Sequence, residues 1–169
     1  MWERTHQLTK RLSFCLLFII PAVLFVRTSD VQAASVSPNC GSWSIVKSPN
    51  VPPTSNDDLY GVAAISANDV WAVGEYIQGS TGYTLIEQWN GTNWSIVSSP
   101  NLGTSDGLDS VAAISANDIW AVGTSGASQN IQTLIEHWNG SSWSIIASPS
   151  PGVTLNSLLA VTAVSSNDV

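Results

Sequence analysis

Positive charge is nearly missing from this chain. Of its five Lys and Arg residues, four (Arg4, Lys10, Arg11 and Arg27) lie in the first 27 positions. From Ala34 onward Lys47 stands alone against ten acids, a net charge of about −9, and that stretch has no Arg. A surface that binds phosphates needs clustered Lys or Arg, so nucleic acid is excluded as a partner. Charge of either sign is scarce, at 10% of residues against about 25% in an average soluble protein. His is limited to His6 and His137, and Cys to Cys15 and Cys40. A lone His in the body offers neither a metal site nor a catalytic triad. No stretch of the body carries a 3.6-residue apolar period, so helix is not expected. Disorder is opposed by eight Trp and 44% hydrophobic residues.

The longest apolar run, Leu12–Val26, is 15 residues, short of the roughly 20 a membrane span needs. It follows Arg4, Lys10 and Arg11 and precedes Val31-Gln32-Ala33. Basic start, apolar centre and small residues before a cleavage point are the layout of a secretory signal. Residues 1–33 are therefore expected to be removed after Ala33, leaving a protein that is secreted or at the cell surface, with no stable membrane span. An uncleaved anchor is the alternative. Cys15 sits in the apolar centre, outside a lipidation context. Cys40 then remains as a single Cys in an exported chain, either paired with another molecule or free.

The body repeats itself. Trp43, Trp94 and Trp143 are spaced 51 and 49 residues apart; Trp71 and Trp120 are 49 apart, as are Trp89 and Trp138. Residues 61–74 (GVAAISANDVWAVG) match 110–123 (SVAAISANDIWAVG), and 84–97 (TLIEQWNGTNWSIV) match 133–146 (TLIEHWNGSSWSII). A third copy opens at Leu159 as LAVTAVSSNDV. Each unit predicts four short strands: Val62–Ser66, Val70–Val73, Thr84–Trp89 and Trp94–Ser98. The first is small in volume, the second apolar on both faces, and the fourth has Ser on alternate positions, as a half-wet outer strand should. Asn90-Gly91 and Asn139-Gly140 are strong hairpin signals, expected as type I′ turns with positive φ at both residues.

Four strands in about fifty residues is the dimension of a β-propeller blade. NDVWAVG resembles the second strand of a kelch repeat, and LIEQWNGTNW its third and fourth strands. The second glycine of the kelch pair is replaced by Glu75 and Thr124. The chain thus resembles divergent kelch-like, galactose-oxidase-like propeller repeats of exported bacterial proteins. That resemblance implies an all-β fold. Residues 1–33 would be the signal, and 34–58 an N-terminal segment with an outer strand at 43–47. Blades would occupy 59–107 and 108–157, with a third starting at 158–169. Closed propellers usually have about four to eight blades, so the chain reads as an N-terminal piece of a longer ring. Its exposed blade faces are expected to self-associate.

In such a fold the inter-blade connections and the loops between strands two and three share one end. Those segments (48–60, 75–83, 98–110, 123–132, 148–158) differ between copies, and variable loops on a rigid scaffold are where binding is placed. The candidate binding residues there are Asp57, Asp58, Tyr60, Tyr76, Tyr83, Asp106 and Asp109. Asp69, Asp118 and Asp168 recur in every copy, after Asn in a tight turn, and are assigned to turn chemistry. Glu87 and Glu136 recur in mid-strand and are assigned to structural hydrogen bonding. His137 has Gln88 as its counterpart, so the unit does not need an imidazole. NGT at 90–92, NWS at 93–95 and NGS at 139–141 match glycosylation sequons.

No catalytic or metal site and no cofactor are assigned. Copper chemistry of the galactose oxidase kind would need a Tyr, a Cys and His ligands together; a sialidase would need an arginine cluster. The expected function is a secreted scaffold that binds protein or carbohydrate through its variable loops. The alternative is a piece of an exported carbohydrate-active hydrolase or oxidase whose site lies in other blades.

Overall fold

The computed structural model describes residues 44–52, 56–103 and 105–169. The expected signal, its cleavage point, Cys15, Cys40 and Trp43 lie outside them. Every named element among the described residues is a strand: β1 Asp57–Ser66, β2 Asp69–Gln78, β3 Thr81–Trp89, β4 Trp94–Ile96, β5 Asp106–Ser115, β6 Asp118–Ser125, β7 Gln132–Trp138 and β8 Trp143–Ile145. They form two four-stranded antiparallel sheets, ordered β1-β2-β3-β4 and β5-β6-β7-β8. The fold is all-β, and each sheet is one copy of the sequence repeat. The registers also repeat: Trp71 faces Gln88 as Trp120 faces His137, and Glu87 faces Ile96 as Glu136 faces Ile145.

A strand presents alternate residues to opposite faces. Trp71, Val73 and Ile86 share one face of the first sheet and pack against Leu108, Val111, Ile119, Ala121, Leu134 and Trp143 of the second in one core cluster. Trp71 is 1% exposed. Its ring centroid lies 5.0 Å from that of Trp138 and 5.6 Å from that of Trp143. Each such aromatic pair adds about 0.5–1.5 kcal/mol beyond simple burial. On the other side of the second sheet, Trp120, Val122 and Ile135 occupy the positions of Trp71, Val73 and Ile86. They line a cavity of about 600 Å³ with Leu158, Val161, Ser166 and Val169. The third copy approaches the second sheet as the second approaches the first: a Gly82–Ser105 bridge in one case, an Ile131–Leu155 bridge in the other.

Three local expectations change. Strands β1, β2, β3, β5, β6 and β7 run further than the sequence pattern suggested, because pairing continues into polar residues (Asp57 faces Tyr76 and Asp106 faces Ser125), whereas β4 stops at Ile96, short of the expected Ser98. The hairpins at Asn90 and Asn139 are four-residue loops rather than two-residue type I′ turns. Trp89–Trp94 and Trp138–Trp143 are the last pairs, and only Gly91 and Gly140 take positive φ there. Asn90 instead turns its side-chain oxygen to the N–H groups of Thr92 and Asn93, at 3.0 and 2.9 Å. Finally, no strand forms over Ser44–Lys47 or from Leu159 to Val164. Among the described residues neither segment pairs with a named strand, and Ile45, Leu159 and Val164 stay exposed.

Strand one carries a β-bulge in each copy. Leu59 faces Gly74 and Gly61 faces Val73, leaving Tyr60 as the extra residue; Asp109 is the extra residue between Leu108 and Ser110. The bulged chain presses on the glycine opposite. A Cβ on Gly74 would lie 1.9 Å from the Asp58 carbonyl oxygen, and one on Gly123 2.0 Å from that of Gly107.

Truncating Trp71 removes the side chain that joins the sheets. Trp71→Ala is expected to lower stability by about 3–5 kcal/mol, read from denaturant unfolding. Trp89→Ala, at a half-buried position on the other face, should cost clearly less. Equal losses would contradict the assigned interface.

Candidate functional site

The seven candidate residues do not sit in loops. Asp57, Asp58 and Tyr60 are on β1, Tyr76 on β2, Tyr83 on β3, and Asp106 and Asp109 on β5. The antiparallel order nevertheless brings them to one end of the sheets: the starts of β1, β3 and β5 and the finish of β2. The opposite end carries the two short, repeated turns.

At that end they separate into three groups. The first lies between the sheets. The Tyr60 hydroxyl donates to Glu75 Oε1 at 3.0 Å. Burial, then the bond to Glu75, then the negative charge of Glu75, Asp58 and Asp109 push its phenol up to about 12. Asp109 is raised by burial and by Glu75. As the bulge residues, Tyr60 and Asp109 are released from the ladder and aimed away from it, a common use of bulges. Glu75 was not among the sequence candidates. The signal was present, since the two copies differ there, Glu75 in one and Thr124 in the other.

The second group lies on the outer face of the first sheet. Tyr76 and Tyr83 are cross-strand partners with rings stacked at 5.1 Å and 21°. Asp57 faces Tyr76. Burial, then Tyr83, then Asp57 raise the Tyr76 phenol. Below them a cavity of about 210 Å³ is lined by Ser48, Asn50, Asp57, Asp58, Leu85 and Glu87.

The third is Asp106, fully buried and held by its own loop. Its Oδ2 accepts the N–H groups of Leu102 and Gly103 at 2.7 and 2.9 Å. Asp57 does the same for Val51 at 2.7 Å. These two aspartates recur at equivalent positions and fasten the chain that enters each sheet. Of the seven candidates they have the clearest structural task.

The recurring aspartates do more than shape a turn. Asp69 Oδ1 accepts the Trp71 indole N–H at 2.9 Å and the Gln88 amide at 3.0 Å. Asp118 Oδ1 accepts the Trp120 indole at 2.9 Å and contacts His137 Nε2 at 2.8 Å. Each carboxylate therefore clamps a tryptophan to strand three, and His137 replaces Gln88 in the clamp. The Ser166 hydroxyl, with His137 and Trp120 behind it, holds Asp118 below the usual carboxylate range although partial burial opposes this. The Asx-type turn bonds expected of these aspartates fall on Asn90 and Asn139.

Among the described residues, no three His, Cys, Asp or Glu side chains converge to hold a metal ion. The chain matches no family model, no curated protein and no solved structure.

The arrangement at the bulge makes one titration diagnostic. Glu75→Gln removes both the charged acceptor and the largest nearby charge from Tyr60. Its phenol should then ionise closer to the ordinary tyrosine value, seen as phenolate absorbance appearing at lower pH. An unchanged curve would separate Tyr60 from Glu75.

Proposed function

We propose that this chain is a secreted scaffold of kelch-like propeller blades that binds a carbohydrate through the end bearing Tyr60, Tyr76 and Tyr83. One observation carries this reading. The two sheets agree in register and in nearly all core residues, yet differ at that end. Opposite Tyr60, Glu75, Tyr76 and Tyr83 of the first copy stand Asp109, Thr124, Ser125 and Gln132 of the second. Residues that the repeat does not require are free to serve a ligand.

The chemistry there suits a sugar. Tyr76 and Tyr83 offer a flat apolar surface with hydroxyl tips, and such rings combine contact area with a polar handle. Asp58, Glu75 and Asp109 supply acceptors for sugar hydroxyls. The excess of acid repels anionic glycans, which favours a neutral or amino sugar polymer. Protein recognition by the same end is the other outcome. The signal-like N-terminus supports export, and the strand content and repeat length support the blade reading.

Affinity electrophoresis and calorimetry with neutral and amino polysaccharides test the proposal. Tyr76→Ala and Tyr83→Ala should each weaken binding about tenfold, equivalent to about 1.4 kcal/mol. Gln132→Ala, at the position equivalent to Tyr83, should leave it unchanged. Binding that survives both tyrosine changes, or no carbohydrate bound at all, would refute it.

A further inference from the structure

The two outer hairpin loops hold the chain's only asparagine–glycine pairs, Asn90-Gly91 and Asn139-Gly140. Both asparagines are exposed, and the loop needs both members of each pair. The asparagine caps it. Asn90 Oδ1 accepts the N–H groups of Thr92 and Asn93 at 3.0 and 2.9 Å, and Asn139 Oδ1 those of Ser141 and Ser142 at 3.0 Å each. The glycine turns it. Gly91 and Gly140 take φ of 92° and 94°, and a Cβ there would lie 2.5 Å from Asn68 Oδ1 or 2.6 Å from Asn117 Oδ1. No bulkier successor can therefore shield the asparagine.

The same contacts activate the side-chain amide. A backbone nitrogen that follows asparagine can attack the side-chain carbon, Cγ. Attack is easiest from glycine, which has no side chain to crowd the approach. Negative charge then develops on Oδ1, the atom that already faces two N–H donors. Hydrogen bonds to a charged oxygen are roughly twice as strong as those to a neutral one. The cap therefore stabilises the transition state more than the resting amide. Asn139 has one donor more: the Ser141 hydroxyl donates to its Oδ1 at 2.8 Å, whereas Asn90 has the two backbone groups.

We propose that Asn90 and Asn139 are self-modifying sites, converted in the folded protein to aspartate and isoaspartate, with Asn139 the faster. The co-reactants are bulk base and water. Base takes the proton from the glycine N–H. That nitrogen bonds to Cγ, the Cγ–Nδ2 bond breaks, and ammonia leaves with a proton from solvent. The cyclic imide so formed takes up water. Opening at Cγ gives aspartate, and opening at the asparagine's backbone carbonyl gives isoaspartate. In sum, one water enters and one ammonia departs, with no change of oxidation state.

The two products differ in consequence. Aspartate keeps the cap and adds a negative charge. Isoaspartate adds a carbon to the backbone of a short loop and draws the capping carbonyl into the main chain. At Asn139 that loop closes the Trp138–Trp143 pair, and Trp71 packs on both rings at 5.0 and 5.6 Å. At Asn90 it closes Trp89–Trp94, which lies outside the core cluster. Isoaspartate at 139 therefore loosens the contact between the sheets, and isoaspartate at 90 does not.

The test is to age the full chain in mildly alkaline buffer, folded and in parallel unfolded in urea. Peptide mass spectrometry follows aspartate and isoaspartate at each site. Both asparagines should convert faster folded than unfolded. In the folded chain Asn139 should lead Asn90 by about fivefold, the effect of one hydrogen bond, and in urea the two should be alike. Ser141→Ala should slow Asn139 to the pace of Asn90 and leave Asn90 unchanged. Chains with isoaspartate at 139, separated by ion exchange, should unfold at lower denaturant than Asn139→Asp. A folded chain that keeps its asparagines longer than the unfolded one would overturn the proposal. So would a lead of Asn139 that persists in urea or survives Ser141→Ala. Isoaspartate at 139 that costs no stability would overturn the link to Trp71.

Discussion

The structure depends on one insertion: Trp71 of the first sheet enters between Trp138 and Trp143 of the second. A four-stranded sheet of this composition cannot cover itself. Its middle strands are apolar on both faces, and the second sheet covers the face that bears Trp71. Burying a large side chain contributes a few kcal/mol, and the repeat concentrates that gain where sheets touch. Stability then resides between units more than within them, as in other repeat architectures. The Asp69 and Asp118 clamps serve this arrangement. An indole packed on one side needs its N–H satisfied on the other, and the carboxylate two residues earlier does so without leaving the strand.

The shortage of cations shapes everything else. Ten acids share the body with one Lys, so few carboxylates can be stabilised by ion pairs. They are accommodated in other ways. Asp57 and Asp106 take backbone N–H groups, Asp69 and Asp118 take indole N–H, Glu87 takes the Ser48 hydroxyl, and Glu136, pushed up to about 8 by burial and by Asp106, keeps its proton. Each is a response to the cost of burying charge.

Much of this was legible in the residues. The Trp spacing and the paired 14-residue segments contained the strand count, the sheet order and the equivalence of the two copies. The core positions followed from strand alternation. What escaped were features set by geometry rather than pattern. The strands extend through Asp57-Asp58 and Asp106-Gly107, which no propensity favours, because the neighbouring strand supplies the ladder. The bulges at Tyr60 and Asp109 leave no mark in composition. Nor could the sequence show that Glu75 lies beneath Tyr60, or that Ser48 pairs with Glu87 and Ser99 with Thr84. The end of the molecule where the candidates gather was readable, since topology alone decides it; their division into residues between the sheets, residues on the outer face and loop-fastening aspartates was not.

Gly74 and Gly123 carry a consequence for how such a repeat can change. The carbonyl of the bulged strand lies so close that these positions tolerate no side chain at all. The next residue along, Glu75 in one copy and Thr124 in the other, projects to the opposite face and is held by no such contact. A position that admits no side chain and one whose side chain differs between the copies are therefore adjacent. A lineage duplicating this unit could change the chemistry of that end by single substitutions beside a glycine that both copies share. Every new copy would inherit the same aim while its contents diverged.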